Sequence, residues 1–288
     1  MTILETAQHF PIIMHTCVFC IGACIGSFLN VCIFRIPKGE SIATPPSHCK
    51  CGKHIKFYDN IPILSWFFLR GKARCCKCKI SFRYPLVETI TAILFLLLWI
   101  TFPPAKAIVY MLFVSLMIFC TFVDIDTMTL PDIATVGGTV LGIVISTLLP
   151  EIHDVDTENT NAIVSHLNGF GISIIGTIVA SGLIYWIRLL AESIFKREAM
   201  GEGDVILLGC IGAFCGWQGA IFALFGGSLL GCFIMLPILL IRQIFVKKES
   251  TAEIEIPFGP WLALGATIYI FISNYVDAYF ATFAKIFE

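Results

Sequence analysis

The chain has 288 residues, of which 57% are hydrophobic and only 14% charged, with a formal net charge of −1. A mean hydropathy of +0.88 excludes an ordinary soluble domain and marks a polytopic membrane protein, whereas a near-neutral charge says nothing further about partners. No internal repeat or low-complexity tract interrupts this pattern.

Apolar runs long enough to span a bilayer, at roughly 20 residues each, occur at 11–34, 86–102, 106–123, 131–149, 166–187, 204–217, 219–241 and 258–283. The expected fold is therefore all-α, with about eight transmembrane helices. The first span is too long, and residues 1–10 too poor in basic groups, for a cleavable signal peptide.

Between the first two spans lies a polar loop, 37–85, with two cysteine knuckles, Cys49-Lys50-Cys51-Gly52 and Cys75-Cys76-Lys77-Cys78. Two separated cysteine pairs match the ligand count of a tetrahedral thiolate zinc site, so Cys49, Cys51, Cys75 and Cys78 are the expected ligands. The first pair has one intervening residue instead of two, which leaves Cys76, His48 or His54 as substitutes. The segment between the knuckles holds Tyr58, Ile61, Pro62 and Trp66, expected to pack a core too small to fold alone, and a metal would supply the missing folding energy. Four thiolates leave no open position for water, so the zinc would be structural. Free reduced thiols are the competing reading. The other eight cysteines lie in apolar spans, where they act as small apolar residues, and a disulfide framework is not expected.

Eleven of the nineteen Lys and Arg residues fall between Arg35 and Arg83. By the positive-inside rule this loop is cytoplasmic and both termini lie outside. The loop at 150–165, with Glu151, Asp154, Asp156 and Glu158 but no Lys or Arg, agrees with an outer location.

The third span ends in Asp124-Ile125-Asp126-Thr127, and span four opens at Pro131-Asp132. Asp132 reads as a helix-capping acid, but Asp124 does not: at a helix C-terminus the macrodipole disfavours an anion. An acid so placed calls for a partner or a catalytic task. Asp126 is its competitor, turned about 200° away on a continuing helix. On the same side, Gly201-Glu202-Gly203-Asp204 opens span six. Asp204 alone reads as a helix N-cap, and Gly201 and Gly203 let the backbone approach a substrate or another helix closely. The sixth span is short, being separated from the seventh only by Gly216-Trp217-Gln218-Gly219, and is expected to be tilted or re-entrant. Two carboxylates at one membrane depth point to an intramembrane aspartyl protease, since charge in hydrocarbon is costly and kept for function. An ion-coupled transporter would place acids near span centres and often show two related halves. A scaffold using a zinc module would leave Asp124 unexplained.

The motifs Gly26-Ser27-Phe28-Leu29-Asn30-Val31, Pro46-Ser47-His48-Cys49, Ile61-Pro62-Ile63-Leu64-Ser65, Tyr84-Pro85-Leu86-Val87-Glu88, the Asp124 to Asp132 loop and Gly201 to Asp204 occur in one order from end to end. In these the chain resembles the bacterial type IV prepilin peptidases, of the GxGD aspartyl protease class. The resemblance implies a bifunctional enzyme of the bacterial inner membrane. It cleaves prepilin or pseudopilin leaders at the cytoplasmic face with Asp124 and Asp204, then N-methylates the new terminus using S-adenosylmethionine. Glu40 and Glu88 are then candidates for holding the sulfonium or the substrate amine, and Gly201 and Gly203 for substrate contact. The family's first knuckle is normally Cys-x-x-Cys, from which this chain departs. The implied organisation is a first helix at 1–36, a cysteine-rich loop domain at 37–85 associated with methyl transfer, and a peptidase core at 86–288. Membrane lipid is an expected partner and nucleic acid is not. A leader peptidase without methyltransferase activity is the nearest alternative.

Overall fold

The computed structural model describes residues 10–44, 49, 51–157, 161–196, 200–245 and 256–284. Among them the α-helices are α1 (Pro11–Arg35), α2 (Leu64–Phe68), α3 (Arg83–Thr101), α4 (Pro104–Thr127), α5 (Asp132–Leu148), α6 (Ala162–Phe195), α7 (Glu202–Phe245) and α8 (Gly259–Ala284). Five of these, α1, α3, α4, α6 and α7, are long and apolar enough to cross a membrane by length and composition, and α5 is a shorter apolar helix. The described residues form no β-strand beyond an isolated bridge, Lys72 with Lys79. The chain divides into two compact units, 1–119 and 120–288.

In the first unit α1 and α3 run antiparallel through two glycines one turn apart. A Cβ on Gly22 would stand 2.8 Å from the Ala92 Cα, and one on Gly26 would stand 2.7 Å from the Glu88 Cα. Small residues four apart allow this approach, which is how helices gain packing where no hydrophobic drive exists between them. The loop that follows α1 folds around Trp66. Its indole N–H donates to the Ile80 carbonyl at 3.1 Å, and its ring meets Phe82 edge-on at 5.5 Å. Tyr58 and Ile61, expected in that small core, remain exposed. Asp59 instead ties the loop by accepting from Arg74 at 2.8 Å.

In the second unit the first part of α7 packs between α5 and α6. Gly212 and Gly176 bring the α7 and α6 backbones into direct contact, and a Cβ on Gly142 of α5 would stand 2.8 Å from the Phe214 ring. Helix α7 breaks at Gly216, where φ is 69° and ψ is 179°. Its partners along α8 show that the chain doubles back there. Gly227 lies on the Trp261 carbonyl and Gly219 on the Tyr269 ring, while Trp217 meets Phe280 edge-on at 5.2 Å. The Gly259 end of α8 reaches Asp124, which is within electrostatic reach of Asp204. Asp204 and Gly227 therefore lie at one end of α8, and the reversal lies at the other. The arm from Glu202 to Cys215 is only about 21 Å long, short of a bilayer core of about 30 Å. The Ala213 carbonyl, in the last turn before the reversal, accepts from the Ser146 hydroxyl at 3.0 Å and the Ser173 hydroxyl at 2.8 Å.

Candidate active site

The antiparallel packing of the second unit gathers one end of each helix together: the C-terminal turn of α4 and the starts of α7 and α8. Asp124 lies in the last turn of α4 and is 5% exposed, while Asp126, two residues on, faces out. Asp204 is the third residue of α7 and is 8% exposed. The two carboxyls are close enough that Asp204 feels the charge of Asp124.

Each acid is held by one backbone N–H. The Asp124 Oδ2 accepts from Gly259 N–H at 2.9 Å, and the Asp204 carboxyl accepts from Gly201 N–H. Asp204 thus sits three positions beyond the N-cap Gly201, reaching back as the acidic member of a capping box does. The helix start steadies it. For Asp124 the start of α8 answers the dipole problem, because a helix N-terminus now faces an acid that its own helix disfavours. Gly203 is needed for close approach, since a Cβ there would stand 3.0 Å from the Leu130 Cβ in the loop joining α4 to α5. Gly201 meets no backbone and serves as the donor. Glu202 is exposed and pairs at 3.6 Å with Arg188.

In the first unit the sulfurs of Cys49, Cys51, Cys75 and Cys76 all lie within 4.8 Å of one another. Zinc bound at about 2.3 Å to four sulfurs separates them by about 3.8 Å, so this group fits a tetrahedral ion. Cys78, the residue favoured by spacing, touches the group through Cys76 at 2.7 Å. Cys76 comes in because the second knuckle is a tight turn, closed by Ala73 N–H to the Cys78 carbonyl and Lys77 N–H to the Ala73 carbonyl, with Lys77 at φ 55°. Gly52, at φ 79°, turns the first knuckle. Hydrogen bonding with the Cys51 and Cys49 thiols pushes the Cys75 thiol up to about 12 in the metal-free cluster. His48 lies outside the described residues, and His54 is not in the four-sulfur group.

Glu88 is buried in the second turn of α3 and accepts from the Ile63 N–H at 2.6 Å and from the Ser27 hydroxyl. Ile63 holds φ at 62°, a conformation rare for a β-branched residue, at the start of α2. Glu88 therefore fastens the loop to the paired helices. Glu40 is exposed just beyond α1.

A family model for the bacterial peptidase A24 N-terminal domain matches residues 20–102, and one for the type IV leader peptidase family matches residues 111–236. The prepilin leader peptidase/N-methyltransferase of Pectobacterium carotovorum subsp. carotovorum is 31% identical over 294 residues, covering 94% of this chain and 98% of the relative. Its counterpart in Aeromonas hydrophila is 32% identical over 314 residues, covering 97% and 98%. The chain belongs to the type IV leader peptidase family. The type 4 prepilin-like proteins leader peptide-processing enzyme of Escherichia coli O78:H11 is 32% identical, covering 93% of this chain and 98% of that relative. No solved structure matches the chain.

The two matched regions of this family member divide its candidate groups. Residues 20–102 contain the cysteine cluster and Glu88, and residues 111–236 contain Asp124 and Asp204. Gly259 falls outside both, and sequence reasoning missed it. The available signal was Pro257-Phe258-Gly259-Pro260, a glycine between prolines at the mouth of the last apolar run.

Proposed function

We propose that this protein is a membrane-embedded aspartyl peptidase that removes the leader from prepilin-like substrates and then N-methylates the new N-terminus. The observation that carries the reading is the meeting of two buried acids, Asp124 and Asp204, at one end of the helices of the second unit in a chain of this family. Two carboxyls a few Å apart share one proton more readily than they both ionise. The unprotonated one draws a proton from water as that water attacks the scissile carbonyl. The protonated one donates to the carbonyl oxygen, and collapse of the tetrahedral species breaks the C–N bond: the leader departs with a free carboxyl, and the new amine takes the proton that the first carboxylate drew from water. The pair titrates as a unit. Both acids lie in terminal turns of their helices, away from the midplane position that transport would favour.

The excess of Lys and Arg between Arg35 and Arg83 supports a cytoplasmic face for the site and the cysteine loop, with both termini periplasmic. Cys49, Cys51, Cys75 and Cys76 would hold a structural zinc, which supplies folding energy to a loop with a small core. S-adenosylmethionine would supply the methyl group. Glu40, exposed at the root of the loop, is the candidate for meeting its sulfonium or the substrate amine, and Glu88 acts by placing the loop. The substrate is a membrane-inserted prepilin or pseudopilin, whose basic leader meets the exposed Glu202. Co-expression with such a substrate, scored for leader loss and the added methyl group by intact mass, tests both activities. Cleavage without methylation would leave a peptidase alone.

A further inference from the structure

Gly259 occupies a place that only its neighbour explains. Its φ is not positive, so the backbone there suits any L-residue and conformation does not demand glycine. Space does. A Cβ at Gly259 would meet the Asp124 Oδ2 at 2.7 Å, the Cγ at 3.3 Å and the Cβ at 3.5 Å, and these are the three nearest atoms. The same Oδ2 accepts the Gly259 N–H at 2.9 Å in a buried setting. Gly259 is the first residue of α8, and Pro260 after it has no N–H, so Gly259 is the one donor of the first two helical positions.

We propose that Gly259 is a positioning residue for the peptidase: its N–H fixes Asp124 Oδ2 and its missing side chain leaves the carboxyl room to stay there. With Oδ2 engaged, Oδ1 is the oxygen left to face the attacking water. The catalytic half of this assignment rests on the aspartyl peptidase reading above.

The substitution Gly259→Ala keeps the N–H but displaces the carboxyl, because the side chain of Asp124 yields before the backbone does. A displacement of this kind lowers kcat by about a hundredfold while KM stays within about twofold. Gly265→Ala is the comparator on the same helix. Its Cβ would stand 2.7 Å from the Ala223 carbonyl and touch no part of Asp124, so it lowers thermal stability and leaves kcat within about twofold. A second readout is independent of activity. In protein labelled with 13C-aspartate, the infrared carboxyl band that Asp124→Asn removes is expected to shift in Gly259→Ala and to stay in place in Gly265→Ala. An unshifted band, an unchanged kcat, or an equal loss of kcat in Gly265→Ala would overturn the proposal. A folded wild type that cleaves nothing while Gly259→Ala still shifts the band would overturn the peptidase reading and support the contact.

Discussion

The cysteine cluster makes a quantitative demand on the loop of the first unit. Spacing favours Cys78 as the fourth ligand, whereas the fold brings Cys76 into the four-sulfur group and leaves Cys78 beside it. Structural zinc in small modules is bound with about 10–16 kcal/mol, so one of four thiolates accounts for about 2.5–4 kcal/mol. That corresponds to a loss of about two to three decades in affinity for Cys76→Ser. Cys78→Ser removes only a neighbour of one ligand and should cost less than about one decade. Competition for zinc against a chromophoric chelator, in the detergent-solubilised full chain, measures both variants against wild type. The reasoning is refuted if Cys78→Ser carries the large loss, or if each single variant is mild and only the double variant releases zinc.

The same cluster predicts a sign for pH. In the metal-free state the Cys75 thiol, pushed up to about 12, keeps its proton throughout the neutral range, so zinc must displace it. Zinc affinity therefore rises with pH and falls in acid, and calorimetry in buffers of different ionisation enthalpy should count the protons released. Gly216→Ala should destabilise the protein by about 1–3 kcal/mol, because φ 69° with ψ 179° is a region that only glycine adopts readily; a thermal melt checks this. Glu88→Ala leaves the Ile63 N–H without its acceptor, at a cost of about 1–3 kcal/mol, and should expose the loop to limited proteolysis and faster amide exchange. Glu88→Gln retains an acceptor oxygen and should restore much of that protection.

What could be read from the sequence follows from how local each signal is. Apolar runs of span length, the lone acid closing the Phe113 to Val123 run and the Gly201 to Asp204 start are written in neighbouring residues, and the helices form over them. The break at Gly216 was visible as a glycine-bounded gap. That the Ser146 and Ser173 hydroxyls would meet the Ala213 carbonyl beside it depends on packing between distant helices. The partner of Asp124 was hidden for the same reason: Gly259 lies 135 residues away, and nothing near either residue names the other. Spacing could count the cysteines but could not show that Cys76 joins Cys49, Cys51 and Cys75 with Cys78 beside it, because that grouping arises from a turn with Lys77 at φ 55° and from contact with Cys49, 27 residues away. Glu88 announced itself as an acid entering a span, while its acceptor role toward Ile63 arises from a loop folded back onto α3.

The most direct test of the central claim is intact-mass analysis of a prepilin-type substrate co-expressed with wild type, Asp124→Asn or Asp204→Asn. Wild type should yield the leader-free substrate, and each variant, inserted at wild-type levels, should leave it uncut, since each removes one half of a proton-sharing pair. Continued cleavage by Asp204→Asn would reduce Asp204 to a helix-capping acid, and continued cleavage by either variant would contradict the two-carboxylate mechanism.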